Sequence, residues 1–225
     1  MQRPLAAIFD LDGTLVDNMA FHGEAWVAMA RRLGSRATRR QFEQEWAGKK
    51  SAEIFAILLG HDAAPEEANR LAEEKEVAYR ALYAPRVAAL PGLLAFLGRL
   101  EEAGVRLAVA TAAPRANREL VLGRLGLERR FERVVGPEEV SRGKPAPDLF
   151  LAAAQGLGVE PTRCLAFEDA ANGVVAARAA GMEAAGVLTT SSPEALRAAG
   201  ARWLLYDYAA LPADLEAVLF GAAPG

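Results

Sequence analysis

Cysteine is nearly absent from this sequence, because Cys164 is the only one among its 225 residues. A single thiol cannot close an intrachain disulfide, and such scarcity is typical of proteins kept in a reducing compartment. Long apolar runs are missing too, since no stretch approaches the roughly 18 apolar residues of a membrane-spanning helix. The N-terminus also lacks the charged and then apolar pattern of a secretory leader. We therefore expect a cytoplasmic protein that does not bind membranes.

The sequence also has no excess of positive charge. Its formal net charge is −3, which disfavours nucleic acid and anionic membranes as partners. Lysine is particularly scarce, and the 26 basic residues include only four: Lys49, Lys50, Lys75 and Lys144. Because arginine supplies the other cations, each lysine is a candidate for a specific role. The apolar content of 52% is enough for one large core or two smaller ones.

The first chemical motif follows the apolar run Leu5–Phe9, whose length and composition predict a buried parallel strand. Asp10, Asp12, Gly13 and Thr14 come directly after it, and a glycine allows a sharp turn with positive φ. Open α/β sheets place their ligand sites at this end of a strand. Two adjacent carboxylates are costly unless a cation or a shared proton offsets their repulsion. The motif indicates either a Mg²⁺ site with one acid free to move protons, or an ordinary solvated turn.

A helical section follows the first motif. Apolar spacing and Gly or Pro punctuation predict helices at Met19–Leu33, Arg39–Trp46, Ser51–Leu59 and Pro65–Tyr83, with Asn18 as the first N-cap. Because no strand lies among these helices, we expect a small helical bundle over residues 16–87. Residues 1–15 and 88–225 would then form the second domain.

The pattern from residue 88 onward alternates between helix and strand. Helices are predicted at Leu93–Ala103, Pro114–Leu125, Pro147–Leu157, Ala170–Ala180 and Leu211–Leu219. Strands are predicted at Val105–Ala110, Val134–Val135, Cys164–Phe167, Ala184–Val187 and Trp203–Leu205. Strands separated by helices favour right-handed crossovers and a doubly wound, Rossmann-like parallel sheet.

Polar residues follow three of these later strands. Thr111 could bind a phosphoryl oxygen through its hydroxyl, together with nearby backbone N–H groups such as that of Ala112. Alternatively, Thr111 could only cap a helix. Lys144 begins a loop stiffened by two prolines, where it could neutralise both a carboxylate and a phosphate, or it could be an ordinary surface lysine. Glu168 and Asp169 could complete an octahedral Mg²⁺ site, or cap the helix that follows.

Asp-x-Asp-Gly-Thr, Thr, Gly-Lys-Pro and Glu-Asp, in this order, resemble the four motifs of the haloacid dehalogenase-like superfamily of phosphotransferases. The helical insert resembles the mobile cap of the subfamily that contains β-phosphoglucomutase and small phosphatases. The resemblance implies that Asp10 attacks phosphorus and that Asp12 serves as general acid and base. It also implies that Mg²⁺ is held by Asp10, the backbone carbonyl of Asp12 and Asp169, with Glu168 nearby. Thr111 and Lys144 would bind the phosphoryl group. The phosphate loop would contain Gly13, Thr14 and Ala112.

The residues of the predicted cap match the family only in part. His22 and Lys75 are similar to a histidine–lysine pair of β-phosphoglucomutase, although His22 could simply be a packed core residue. The predicted loop Trp46–Ser51 lies between these two residues in the sequence. Its Gly48 matches the mutase, but Ala47 and Ser51 stand where the mutase has cations that grip a second phosphate. Lys49 and Lys50 could replace those cations or could only be solvated.

Three functions are compatible with these motifs. Because Ala47 and Ser51 replace the two cations of a mutase and a lysine grips a phosphate less well than a bidentate arginine, we favour a monomeric, Mg²⁺-dependent phosphatase acting on a small phosphorylated metabolite, a sugar phosphate. A β-phosphoglucomutase-type phosphomutase is the second hypothesis. A phospho-receiver signalling module is the third, since receivers also combine an acidic pair, Thr and Lys, although they have no inserted cap.

Overall fold

The computed structural model describes residues 3–41 and 51–221. Its contacts divide the chain into two compact units, Met1–Asp17 with Ala88–Gly225, and Asn18–Val87. The first unit contains a sheet of six strands: β1 (Ala6–Phe9), β2 (Arg106–Ala110), β3 (Arg133–Val135), β4 (Cys164–Glu168), β5 (Glu183–Val187) and β6 (Trp203–Leu205). Their order is β3-β2-β1-β4-β5-β6, and every pairing is parallel. The predicted doubly wound sheet is confirmed.

The central strand β1 is buried on both faces, as its uninterrupted apolar sequence requires. Ala6 and Ile8 point into one cluster of mostly aliphatic side chains. Phe9 points to the other face, where its ring stacks on Phe167 of β4 at 4.6 Å and meets Phe96 edge-on. Aromatic packing on one face and aliphatic packing on the other together fix the position of β1.

The helices of the first unit connect the strands. They are α5 (Leu93–Glu102), α6 (Arg115–Leu125), α7 (Asp148–Gly156), α8 (Ala171–Ala179), α9 (Pro193–Ala199) and α10 (Ala213–Phe220). Helix α9 was not predicted from the sequence. A helix-start signal was nevertheless present, because the Ser192 hydroxyl caps the Ala195 amide at 3.2 Å and Pro193 occupies the first helical position.

The second unit is helical in its described part. It contains α1 (Met19–Arg32), α2 (Arg39–Gln41), α3 (Ser51–Leu59) and α4 (Pro65–Tyr83). A core of its own forms around Trp26, Phe55 and Leu71. The predicted helix Arg39–Trp46 lies partly outside the described residues. Across residues 3–41 and 51–221, no helix has both the length and the apolar character needed to cross a membrane.

Two local predictions are corrected by the structure. Asn18 precedes α1, but its side chain makes no capping hydrogen bond to the helix; its amide donates to the Tyr79 hydroxyl over 2.6 Å. Helix α1 ends at Arg32, with Leu33 as its C-cap. The other predicted ends differ by a few residues at most, as expected where helices fray and strands leave the sheet.

Candidate active site

The carboxyl ends of β1 and β4 form the centre of the site. Phe9 is in register with Phe167, so Asp10 and Glu168 follow side by side, and the Asp10 amide donates to the Phe167 carbonyl over 2.9 Å. From β1 the chain adds β2 and β3 on one side of the sheet, and from β4 it adds β5 and β6 on the other. The carboxyl ends of β1 and β4 therefore lie at the topological switch point of the sheet. Doubly wound sheets bind their ligands at this point.

Lys144 reaches this cluster from the loop before α7. Its ammonium lies 2.5 Å from Asp10 Oδ1 and 2.9 Å from Glu168 Oε2, and its side chain is only 7% exposed. The ammonium also lies 5.1 Å from the centre of the Phe150 ring, which places it over an apolar support. The structure thus places Lys144 inside the acidic cluster and not on the surface.

Asp10, Glu168 and Asp169 can offer carboxylate oxygens that all lie within 4.8 Å of one another, and all three residues are buried. Burial and the Asp10 charge raise the pKa of Asp169 to about 7 and raise that of Glu168 well above its usual range. Burial likewise raises the pKa of Asp10, with Lys144 opposing the shift. One ammonium does not balance three carboxylates, so the cluster favours a bound proton or a cation. Its oxygen donors suit Mg²⁺.

A second set of contacts holds Asp169 and the turn after β1 together. The Thr14 hydroxyl donates to Asp169 Oδ1 over 3.2 Å, and Thr14 is fully buried. Gly13 has a φ of +79°, and a Cβ at this position would overlap the Asp169 carboxylate. Only glycine satisfies both conditions, so the predicted need for a sharp turn at Gly13 is confirmed and extended.

Asp12 lies in the same turn, half-buried, and its charge contributes to the raised pKa of Asp10. Its carboxylate is not part of the acidic triad formed by Asp10, Glu168 and Asp169. This geometry separates the two acids of the first motif, since Asp10 faces the other carboxylates and Asp12 does not share their cluster.

Thr111 and Ala112 follow β2 at the same edge of the sheet. The Thr111 amide donates to the Val135 carbonyl over 3.1 Å, and its hydroxyl accepts the Ala113 amide over 3.1 Å. The buried Arg118 guanidinium donates to the Ala113 carbonyl over 3.3 Å and pairs with Glu138. The loop after β2 is thus held in place by its own threonine and by α6.

The candidate residues of the helical unit form a cluster of their own. The Lys75 ammonium donates to His22 Nδ1 over 2.9 Å and to Glu76 Oε1 over 2.7 Å, and Lys75 is 4% exposed. The His22 ring stacks on Tyr79 with centroids 3.8 Å apart. The predicted proximity of His22 and Lys75 is therefore seen. Ser51 is half-buried at the start of α3, whereas Gly48, Lys49 and Lys50 lie outside the described residues.

Three residues that support the site were missed by the sequence analysis. Gly173 in α8 lies so close to Glu168 that a Cβ would overlap the carboxylate. A glycine in the first turn of a predicted helix was the available signal, because glycine weakens helices. The Tyr208 hydroxyl donates to the Thr14 carbonyl and the Thr189 hydroxyl donates to the Gly13 carbonyl. No sequence pattern indicated these long-range contacts.

This fold, with a buried lysine–carboxylate cluster at the switch point of its sheet, defines a phosphotransfer enzyme of the α/β class. The chain belongs to the haloacid dehalogenase-like hydrolases, and the family match covers residues 5–181.

Relatives within this family include both phosphatases and mutases. The chain is 36% identical over 188 residues to the fructose-1-phosphate phosphatase YqaB of Escherichia coli K12, covering 83% of this chain and 97% of the relative. It is 32% identical over 190 residues to the β-phosphoglucomutase of Bacillus subtilis 168, covering 81% and 82% of the two chains. A HAD hydrolase of family IA, variant 3, from Entamoeba histolytica superposes with a TM-score of 0.85 at 26% identity, covering 92% and 94%.

Proposed function

We propose that the protein is a Mg²⁺-dependent phosphatase that hydrolyses a small phosphate monoester, a sugar phosphate, through an aspartyl phosphate on Asp10. The observation that carries this proposal is the contact of Asp10 with Lys144, with a second acid, Asp12, two residues away in the same turn. Lys144 keeps positive charge at the nucleophile, and Asp12 supplies the proton that an alkoxide leaving group needs.

The first step forms the covalent intermediate. A carboxylate oxygen of Asp10 attacks phosphorus while the bond from phosphorus to the sugar oxygen breaks. Asp12 donates its proton to that oxygen, which leaves as an alcohol. The Lys144 ammonium and the Thr111 loop offset the negative charge of the transferring phosphoryl group.

The second step regenerates the enzyme. Asp12, now a carboxylate, takes a proton from a water molecule whose oxygen attacks the phosphorus of the aspartyl phosphate. The bond between phosphorus and Asp10 breaks, and inorganic phosphate leaves. Each cycle returns Asp10 to a carboxylate and Asp12 to its protonated form, so no other reactant is consumed.

The acidic triad is the proposed Mg²⁺ site. Asp10, Glu168 and Asp169 supply buried carboxylate oxygens within 4.8 Å of one another, and the backbone carbonyl of Asp12 is the further proposed ligand. When bound there, Mg²⁺ supplies positive charge that offsets the triad and the substrate phosphate. Thr14 orients the Asp169 carboxylate for this purpose through its 3.2 Å hydrogen bond.

Two observations favour hydrolysis of a sugar phosphate over mutase activity. The relative named as a fructose-1-phosphate phosphatase is more similar to this chain, at 36% identity, than the β-phosphoglucomutase, at 32%. In addition, Ala47 and Ser51 occupy the two positions at which a mutase has the cations that grip its second phosphate. The helical unit is the proposed cap that selects the substrate, and its candidate contacts are His22, Lys75, Gly48, Lys49 and Lys50.

The test is a phosphate-release screen of the purified protein with Mg²⁺ over hexose phosphates, pentose phosphates and nucleotides, with Asp10→Asn as the matched control. We expect release from sugar phosphates by the wild type alone, because an amide cannot replace the attacking carboxylate. Equal turnover by Asp10→Asn would overturn the covalent mechanism. A phosphoprotein that accumulates from acetyl phosphate and persists without phosphate release would instead favour the signalling-module hypothesis.

A further inference from the structure

The turn that carries Asp12 satisfies its backbone N–H groups locally but not all of its carbonyls. The Gly13 amide donates to the Val16 carbonyl over 2.8 Å, and the Thr14 amide donates to the Leu11 carbonyl over 3.3 Å. The carbonyls of Gly13 and Thr14 are instead held from distant parts of the chain. The Thr189 hydroxyl donates to Gly13, and the Tyr208 hydroxyl donates to Thr14 over 3.1 Å.

These two hydroxyls come from separate segments, 176 and 194 residues away from the carbonyls they bind. Tyr208 is 4% exposed, and its ring stacks on Phe96 with centroids 5.1 Å apart. Thr189 is half-buried in the loop after β5. Tyr208 is therefore a rigidly packed donor, and Thr189 is a donor on a loop that has further contacts with the site.

The loop after β5 also contacts Asp169. The Ser191 amide donates to the Asp169 carbonyl over 3.2 Å, and the Ser191 hydroxyl accepts the Ala171 amide over 3.2 Å. Thr189 and Ser191 thus connect one short loop to both the β1 turn and the Asp169 backbone. The Thr14 hydroxyl closes the arrangement by donating to the Asp169 carboxylate.

We infer that Thr189 and Tyr208 are positioning residues that hold the Gly13 and Thr14 carbonyls and thereby keep the Thr14 hydroxyl on Asp169. Both hydroxyls donate to backbone carbonyls of the turn, so both act on Asp169 through the turn. Loss of either hydroxyl lets the turn rotate and weakens the orientation of Asp169 toward a divalent cation. This inference rests on the proposed metal-dependent function and adds residues that set the metal affinity.

The test measures Mn²⁺ binding to the metal-free protein from the electron paramagnetic resonance signal of unbound Mn²⁺. The variants are Thr189→Val and Tyr208→Phe, which remove one hydroxyl each and keep the shape of the side chain. We expect the Mn²⁺ dissociation constant to rise on the order of fivefold for each, the effect of one net hydrogen bond on an equilibrium constant. Since both hydroxyls hold one turn, the double variant should lose less than the product of the two single effects.

Two control variants separate positioning from general stability. Thr189→Ser keeps the donor and should restore near-wild-type binding. Ser192→Ala removes the α9 cap, so it should lower the melting temperature without changing Mn²⁺ affinity. The inference would be overturned if Thr189→Val and Tyr208→Phe both kept wild-type affinity. It would also be overturned if Thr189→Ser weakened binding as much as Thr189→Val. Either result would leave the proposed function standing. A wild type that takes up no Mn²⁺ would overturn the proposed function and this inference with it.

Discussion

The Lys144 ammonium donates to the Asp10 carboxylate over 2.5 Å, across 134 residues of chain. Burial lowers the pKa of Lys144, but the charges of Asp10 and Glu168 outweigh it and raise that pKa above its ordinary value. Lys144 therefore stays positively charged although its side chain is 7% exposed. Removing it would leave buried carboxylates without their nearest cation, which is costlier than losing a surface ion pair.

Lys144→Met should keep most of the length of the side chain and abolish its charge. We expect kcat to fall about 10²–10³-fold, in the range found when one electrostatic stabiliser of a transition state is removed. The measurement is steady-state phosphate release from whichever sugar phosphate the wild type hydrolyses. Arg142→Ala is the matched control, because Arg142 lies two residues earlier and its side chain is 69% exposed beside Asp148. Comparable kcat values for Lys144→Met and Arg142→Ala would contradict the assigned role.

Gly173→Ala should displace the Glu168 carboxylate, because the added Cβ would occupy its position. The expected result is at least about tenfold lower activity, the lower end of the losses seen when partners of metal ligands are disturbed. Gly98→Ala in α5 is the control, since its Cβ would meet only the Arg130 guanidinium at an ordinary 3.6 Å. Alanine favours helix at both positions, so Gly98→Ala should raise stability slightly and leave activity unchanged. Equal activities for the two variants would rule out the crowding at Gly173.

The sequence predicted the central part of the site well because strand ends are strongly marked. The apolar runs of β1, β2 and β4 lead into Asp10, Thr111 and the Glu168–Asp169 pair, and parallel strands bring their carboxyl ends to one edge. Asp10, Lys144, Glu168 and Asp169 were named from this logic and from the family resemblance, and the structure brings them together. The sheet followed from the same alternation of strands and helices.

The supporting contacts could not be predicted, because they depend on how distant segments pack. Tyr208 lies in a tail with no clear periodicity, yet its hydroxyl donates to Thr14. Asn18 has the residue type of an N-cap, yet its side chain makes no capping hydrogen bond and its amide donates to the Tyr79 hydroxyl of α4. Tertiary contacts override local preferences in both cases.

Stability in the absence of metal should fall as pH rises. The pKa of Asp169 is raised from 3.8 to about 7, mainly by burial, so the folded protein keeps a proton that the unfolded chain loses near 3.8. The protonated Asp169 carboxyl therefore contributes its full stabilisation of the folded state below pH 3.8, and this stabilisation is lost as the pH rises through about 7. Burial raises the pKa of Asp10 and Glu168 in the same direction. Lys144 adds no pH dependence to the stability in this range, because the pKa of a lysine in the unfolded chain is 10.5.

The measurement for this prediction is the melting temperature in EDTA and in excess Mg²⁺, at about pH 5.5 and about pH 8. A cation bound by the ionised triad removes the penalty for ionisation, so Mg²⁺ should stabilise the protein more at the higher pH. Asp169→Asn should weaken both the pH dependence in EDTA and the effect of Mg²⁺. A larger Mg²⁺ effect at the lower pH would contradict the assignment of Asp169.

Asp12 should determine how the aspartyl phosphate is resolved. Asp12→Ala retains Asp10, so a substrate with a good leaving group should still phosphorylate the enzyme. Hydrolysis of the aspartyl phosphate should then slow by ~10²–10⁴-fold, because no base activates water. Rapid-quench trapping of the phosphoprotein checks this, and turnover at the wild-type rate would exclude Asp12 as the general acid and base.

The wild type should also release its phosphoryl group to water and not to a second sugar hydroxyl. A mutase must hold a bisphosphate intermediate in two orientations, which requires a cationic grip on the second phosphate. Ala47 and Ser51 provide no charge for that grip. The measurement is ³¹P NMR of the wild type with β-glucose 1-phosphate and glucose 1,6-bisphosphate as primer. We expect inorganic phosphate to accumulate. Accumulation of glucose 6-phosphate with little free phosphate would instead identify a mutase, and Ser51→Arg then tests whether an added cation increases that transfer.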